Sequence, residues 1–168
     1  YLLAGMSLIV VFIGTSHAGL SDGLVAYYPF NGNANDESGN GNNGTVNGAV
    51  LTTDRFGNPD STYEFEGRDG IDIPNNSSLE PAHLTLAAWI YWTAGDDQSY
   101  NATLIVDNYS TEQYGYDFGY DNKRKILMFH LFPESASGVP LYRDLDLTSG
   151  GWEFVAVTYD GVNMKMYA

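Results

Sequence analysis

Between Asn31 and Gly48 the chain reads N-G-N-A-N-D-E-S-G-N-G-N-N-G-T-V-N-G, nearly all asparagine and glycine around one acidic pair, Asp36-Glu37. Asparagine and glycine accept positive φ most cheaply, so the stretch predicts a succession of tight turns instead of helix or unbroken strand. Such turns gather carbonyl and amide oxygens beside a carboxylate, an inventory that suits a hard cation, calcium first. The side chains expected to hold it are Asp36, then Asn40 and Asn42, with nearby carbonyls completing the shell. Calcium takes about six to eight oxygens, so one or two charged donors imply modest affinity. A competing role for Asp36 is an Asx-turn onto the Ser38 and Gly39 amides, and a solvated loop competes with both.

Two other strings carry paired acids, Glu64-Phe65-Glu66 and Asp144-Leu145-Asp146. Each pair alternates and so shares one strand face. Retaining glycoside hydrolysis needs two carboxyls about 5 Å apart, one of them with a pKa raised by burial. Acids on an outer sheet face satisfy neither demand, and surface pairs of this kind are solubilising. No Ser-His-Asp constellation is recognisable, and His130, within Met128-Phe129-His130-Leu131-Phe132, reads as a partly buried strand histidine. The glycines of 31–48 are followed by neither a helix nor a lysine, which excludes a phosphate-cradling loop.

Aromatic side chains are the remaining chemistry. Tyr114, Tyr116, Phe118 and Tyr120 alternate with Gly115, Asp117 and Gly119, a row that could stack on sugar rings but suits a sandwich core better. Trp92 and Tyr109 stand at predicted strand ends, where exposure makes them the ligand-binding candidates. Either could equally plug the rim of the core.

Composition narrows the partners. The 168 residues fit one domain, and the formal charge of −14 comes with only seven basic residues. Such a surface repels phosphate backbones and anionic lipid, so neither nucleic acid nor a membrane surface is an expected partner. Cysteine is absent, which excludes disulfides, thiolate nucleophiles and cysteine-based zinc sites.

The elements that must position these residues are strands. Leu2 to Gly14 is uncharged and apolar, and Ser16 and Ala18 supply the small residues of a peptidase site. The run is shorter than the ~20 residues of a spanning helix, so residues 1–18 are expected to be an export signal, cut at its own start, and the only membrane-directed segment. From Leu24 to Phe30 the alternation is that of a strand, with Pro29 placing it at an edge. Further strands are expected near Val46–Leu51, Thr62–Glu66 and Ile71–Ile73. Leu84–Trp92, nearly continuous in apolar residues, predicts a central strand covered on both faces. Ala102–Val106, Tyr114–Tyr120, Ile126–Phe132 and Leu141–Leu145 follow, and Trp152–Tyr159 turns at Asp160-Gly161 into Asn163–Tyr167. No window has a helical period. Many short strands at close spacing mean an all-β, two-sheet antiparallel sandwich.

In order and spacing these segments resemble the laminin G-like family of the concanavalin A-like lectin/glucanase superfamily. The resemblance rests on G-L-V-A-Y-Y-P-F at 23–30, N-D-E-S-G-N-G-N-N-G at 35–44, Y-E-F-E-G at 63–67, L-T-L-A-A-W-I at 84–90 and W-E-F-V-A-V-T-Y-D-G at 152–161. It implies a jelly-roll sandwich over residues 19–168, incomplete at its C-terminus because the family continues through further strands. It also implies a non-catalytic module of secreted or surface proteins, often with calcium at the loop end. Two departures stand out: Phe65-Glu66-Gly67 replaces the usual Phe-Asp-Gly without the usual acidic pair after it, and the sequence stops at Ala168 where the family continues. Neither acid pair has the third acid of the glucanase E-x-D-x-(x)-E pattern.

The functional expectation is a secreted, extracellular or cell-surface module that binds a polysaccharide or an extracellular protein, with structural calcium and with further domains on the same polypeptide. The alternatives are an accessory domain of a secreted glycan-degrading enzyme and, below it, a jelly-roll hydrolase or lyase.

Overall fold

A computed structural model describes residue 19 and residues 21–93, 102–109, 115–132, 138–147 and 150–168. The expected export signal at 1–18 and Tyr114 lie outside the described residues. Of Ala102–Leu104 and Tyr109 only the backbone is described.

The described chain is all-β, with a single 3₁₀ turn at Ser77–Leu79 and no α-helix. Two antiparallel sheets stack on each other. One runs β6 (Ala102–Tyr109), β7 (Gly115–Asp121), β8 (Ile126–Phe132) and β9 (Val139–Asp144) in sequence order. The other places β10 (Trp152–Tyr159) between β11 (Met164–Tyr167) and β5 (Leu84–Tyr91). Two short ribbons join β1 (Thr45–Asn47) to β4 (Gly70–Asp72) and β2 (Val50–Thr52) to β3 (Thr62–Glu64).

Alternation decides what lies between the sheets. Phe118, Leu127, Phe129, Val155 and Val157 are fully buried there, with Tyr116 and Leu84 beside them. Each such side chain contributes about 1.5–3 kcal/mol by leaving water. Tyr116, Phe118 and Tyr120 therefore belong to the core, not to a sugar platform. At the open side Arg143 of β9 donates to the Met166 carbonyl of β11 at 3.0 Å, tying an edge of one sheet to an edge of the other.

Three sequence expectations are corrected. Leu24–Phe30 forms no ladder, because the Asn/Gly loop takes up its backbone groups, Pro29 has no N–H to give, and Phe30 turns at φ 58°. The strand expected over Val46–Leu51 breaks in two at Gly48, whose φ of 86° redirects the chain so that β1 and β2 pair with different partners. Finally, β5 is covered on one face only, and β10 is the central strand of its sheet among the described residues. The apolar run conceals an alternation: Leu84, Leu86, Ala88 and Ile90 face the core, and Thr85, Ala87, Trp89 and Tyr91 face out.

Candidate functional site

The Asn/Gly stretch is an ordered rim. Asp36 is buried, and both of its carboxylate oxygens accept backbone amides: Oδ1 from Tyr27 (2.9 Å) and Ser38 (2.8 Å), Oδ2 from Asn42 (3.0 Å). Burial pulls its pKa upward, but the Ser38 side chain and the three amides outweigh that and bring it down to about 2. Asn40 donates its amide to the carbonyls of Leu24 (2.8 Å) and Val25 (3.0 Å). Asn42, buried, donates to Val25 at 3.0 Å and accepts from the Asn76 amide at 2.8 Å. The network reaches the core through Leu79, whose carbonyl accepts from Asn108 (3.0 Å) and Tyr116 (2.8 Å). Tyr28 closes it by donating to the Asn42 carbonyl at 2.6 Å, and burial, then the Asp36 charge, raises its phenol to about 12.

The structure thus brings Asp36, Asn40 and Asn42 together, yet not as a cation shell. Calcium needs about six to eight oxygens facing one point, whereas here the carboxylate and the Asn42 oxygen already face N–H groups. Among the described residues no cluster of three or more Asp, Glu, His or Cys could hold a metal. As folded, these residues do not fit calcium. They do what the alternative assigned to Asp36: the carboxylate organises turns and supplies the neighbour that Leu24–Phe30 would otherwise find in a strand.

The two ligand candidates are not brought together. Trp92 is half-buried, its ring 5.4 Å from that of buried Tyr120 and inclined at 65°, so it caps the core rim. Tyr109 lies on β6 opposite Gly115, and its side chain is outside the described set. The acid pairs stay on the surface: Glu64, Glu66, Asp144 and Asp146 are exposed, and Asp146 lies 3.7 Å from the Lys125 ammonium. On the outside of the four-stranded sheet, His130 Nδ1 lies 2.7 Å from Asp117 and its Nε2 lies 3.2 Å from the Tyr142 hydroxyl. That partly buried strand histidine orders three neighbouring strands.

Sequence reasoning missed the outer face of the other sheet. Register sets Trp152 opposite Tyr91, Phe154 opposite Trp89, and Ala156 opposite both Ala87 and Tyr167. Trp89 and Phe154 have ring centroids 5.4 Å apart, as do Tyr91 and Trp152. Trp89, Tyr91 and Phe154 remain 45%, 46% and 44% exposed, so the rings form a step above an alanine floor. The turn between β2 and β3 reaches this step and lays the Arg55 guanidinium 4.5 Å from the Trp89 ring centroid, with Phe56 at 4.2 Å. That turn is locked by Asp54, which accepts the amides of Phe56 (2.8 Å) and Asn58 (2.9 Å) and the Asn58 side chain (3.0 Å). A signal was available in two matching tripeptides, W-I-Y at 89–91 and W-E-F at 152–154, each alternating aromatic residues onto one face.

Residues 65–168, more than half of the chain, match the laminin G-like family model of the concanavalin A-like lectin/glucanase superfamily. The chain belongs to that superfamily. Its laminin G-like domains generally bind carbohydrate or protein, which places the chain among such modules. The sheet that carries the aromatic step lies inside the match, whereas the Asp36 loop lies outside it. No curated protein and no solved structure matches the chain.

Proposed function

We propose that the chain is a secreted, non-catalytic module that recognises polysaccharide on the outer face of the β5–β10–β11 sheet. One observation carries this reading: the paired rings of Trp89 with Phe154 and Tyr91 with Trp152 stand on a sheet face that points away from the core, with about half of Trp89, Tyr91 and Phe154 left open. Clustered exposed apolar surface of this kind marks an interaction site. A sugar ring offers an apolar C–H face that stacks on an aromatic ring while its hydroxyls keep their water. A row of such rings along the two strands therefore suits an extended polymer chain.

The non-catalytic part of the proposal rests on the exposure of both acid pairs, Glu64 with Glu66 and Asp144 with Asp146, on the surface. In this reading the face binds without calcium, which is supported by loop oxygens that already face N–H groups. Secretion rests on residues 2–18 and is tested by fusing residues 1–18 to an export reporter.

Affinity electrophoresis through gels cast with different polysaccharides tests the binding. The chain should be retarded by at least one polymer, and Trp89→Ala or Phe154→Ala should abolish the retardation with the fold intact by circular dichroism. Retardation that survives both substitutions places the site elsewhere.

A further inference from the structure

Resting on that glycan-binding reading, we infer that the aromatic face selects carboxylated sugars, with Arg55 as the residue that reads the carboxylate. The outward positions of the sheet are Thr85, Ala87, Trp89 and Tyr91 on β5, their partners on β10, and Lys165 and Tyr167 on β11. None of them is acidic, in a chain with 21 acids against seven basic residues. Two of those seven, Arg55 and Lys165, lie at this face. The outward side chains of the face are thus neutral or cationic, in a molecule that is acidic as a whole.

Two acids near these cations have their carboxylate oxygens turned to backbone amides. Asp54, beside Arg55, directs its carboxylate into its own turn, accepting Phe56 and Asn58. Asp160, near Lys165, accepts the amides of Val162 (3.0 Å) and Asn163 (2.6 Å) in the β10–β11 turn. A guanidinium stacked on an aromatic ring keeps its in-plane N–H donors, which match a carboxylate bidentately. The Asp54 turn fixes the backbone that carries Arg55 and so sets the fork beside Trp89. A uronic acid unit stacked on Trp89 would bring its carboxylate to Arg55. At physiological salt, charges are screened over ~8 Å, so acids farther from this face than that repel a short oligomer only weakly.

The test compares galacturonic acid oligomers with the same oligomers methyl-esterified, by calorimetry on the full chain. The acid form should bind about tenfold tighter. Arg55→Gln should remove most of that preference, and Arg55→Lys should restore part of it. Lys165→Gln should have a smaller effect of the same sign. Equal binding of the two forms, both lost in Trp89→Ala, overturns the charge selectivity and leaves the glycan reading standing. Failure to bind either form, or any other polysaccharide, in a Trp89-dependent way overturns both. A Trp89-dependent dimer in sedimentation, with no glycan bound, would assign the face to a second copy of the chain and also overturns both.

Discussion

Trp89 and Phe154 sit directly opposite each other on β5 and β10, their rings 5.4 Å apart and tilted by 54° on the side of the sheet away from the core. Because both are close to half exposed, they contribute less to stability than buried rings do. Trp89→Ala should lower unfolding free energy by only about 1 kcal/mol, whereas Phe118→Ala, at a fully buried site, should cost about 3–5 kcal/mol. Urea titrations of the two variants check this. A loss near the Phe118 value at Trp89 would make the outer rings structural, and the binding proposal would lose its main support.

The contrast also shows what was legible in the sequence. Alternation in Tyr116, Phe118 and Tyr120 gave the core face of β7, and Asp160-Gly161 gave the β10–β11 turn, since period and turn chemistry are local properties. Trp89 was hidden because alanines at 87 and 88 blur the two faces of β5, and only its register with Phe154 shows an exposed pair. Arg55 was illegible for a different reason: its contact with Trp89 joins residues 34 positions apart through a turn whose direction no local pattern fixes. The Asp36 loop was legible as ordered turns, but oxygen-rich composition does not say whether the oxygens will face a cation or N–H groups. Here the backbone of Leu24–Phe30 supplies an N–H, from Tyr27, and accepting carbonyls, from Leu24 and Val25, to which the loop groups turn.

Asp36 gives the fold a pH dependence. Its carboxyl in the folded state is lowered from the ordinary value of 3.8 to about 2. A depressed folded value means that the contribution is present above the unfolded pKa and lost as pH falls from about 4 toward 2. Asp36→Asn should destabilise the chain at neutral pH by about 1–3 kcal/mol, because the new NH₂ group confronts amides that need an acceptor. The difference between wild type and variant should shrink across that acid window. A difference that stays constant from pH 6 to about pH 2 would show that the carboxylate charge plays no part.

The same geometry makes a prediction about calcium. An ion that binds only the folded chain stabilises it by mass action. With Asp36 and Asn42 already occupied by N–H donors, millimolar calcium should move the melting temperature by less than ~1 °C, in wild type and in Asp36→Asn alike. A rise of several degrees in wild type alone would mean that the loop rearranges to expose its oxygens.

Gly48 is where the chain leaves β1 for β2, and two separate effects make it intolerant of a side chain. Its φ of 86° costs a non-glycine residue about 1–2 kcal/mol. A Cβ there would also run into the Asp69 carboxylate. That carboxylate is not free to swing away without loss, since it accepts the Glu66 amide at 3.0 Å. Gly48→Ala should therefore destabilise by more than the φ term alone, and Asp69→Ala should cost a smaller amount through the lost hydrogen bond. In the double variant the clash is gone and the backbone strain remains, so the two losses should sum to about 1 kcal/mol more than the double variant shows. Strict additivity in a denaturant cycle would mean that Asp69 yields without resistance, leaving the φ of Gly48 as the sole reason that β1 and β2 part company.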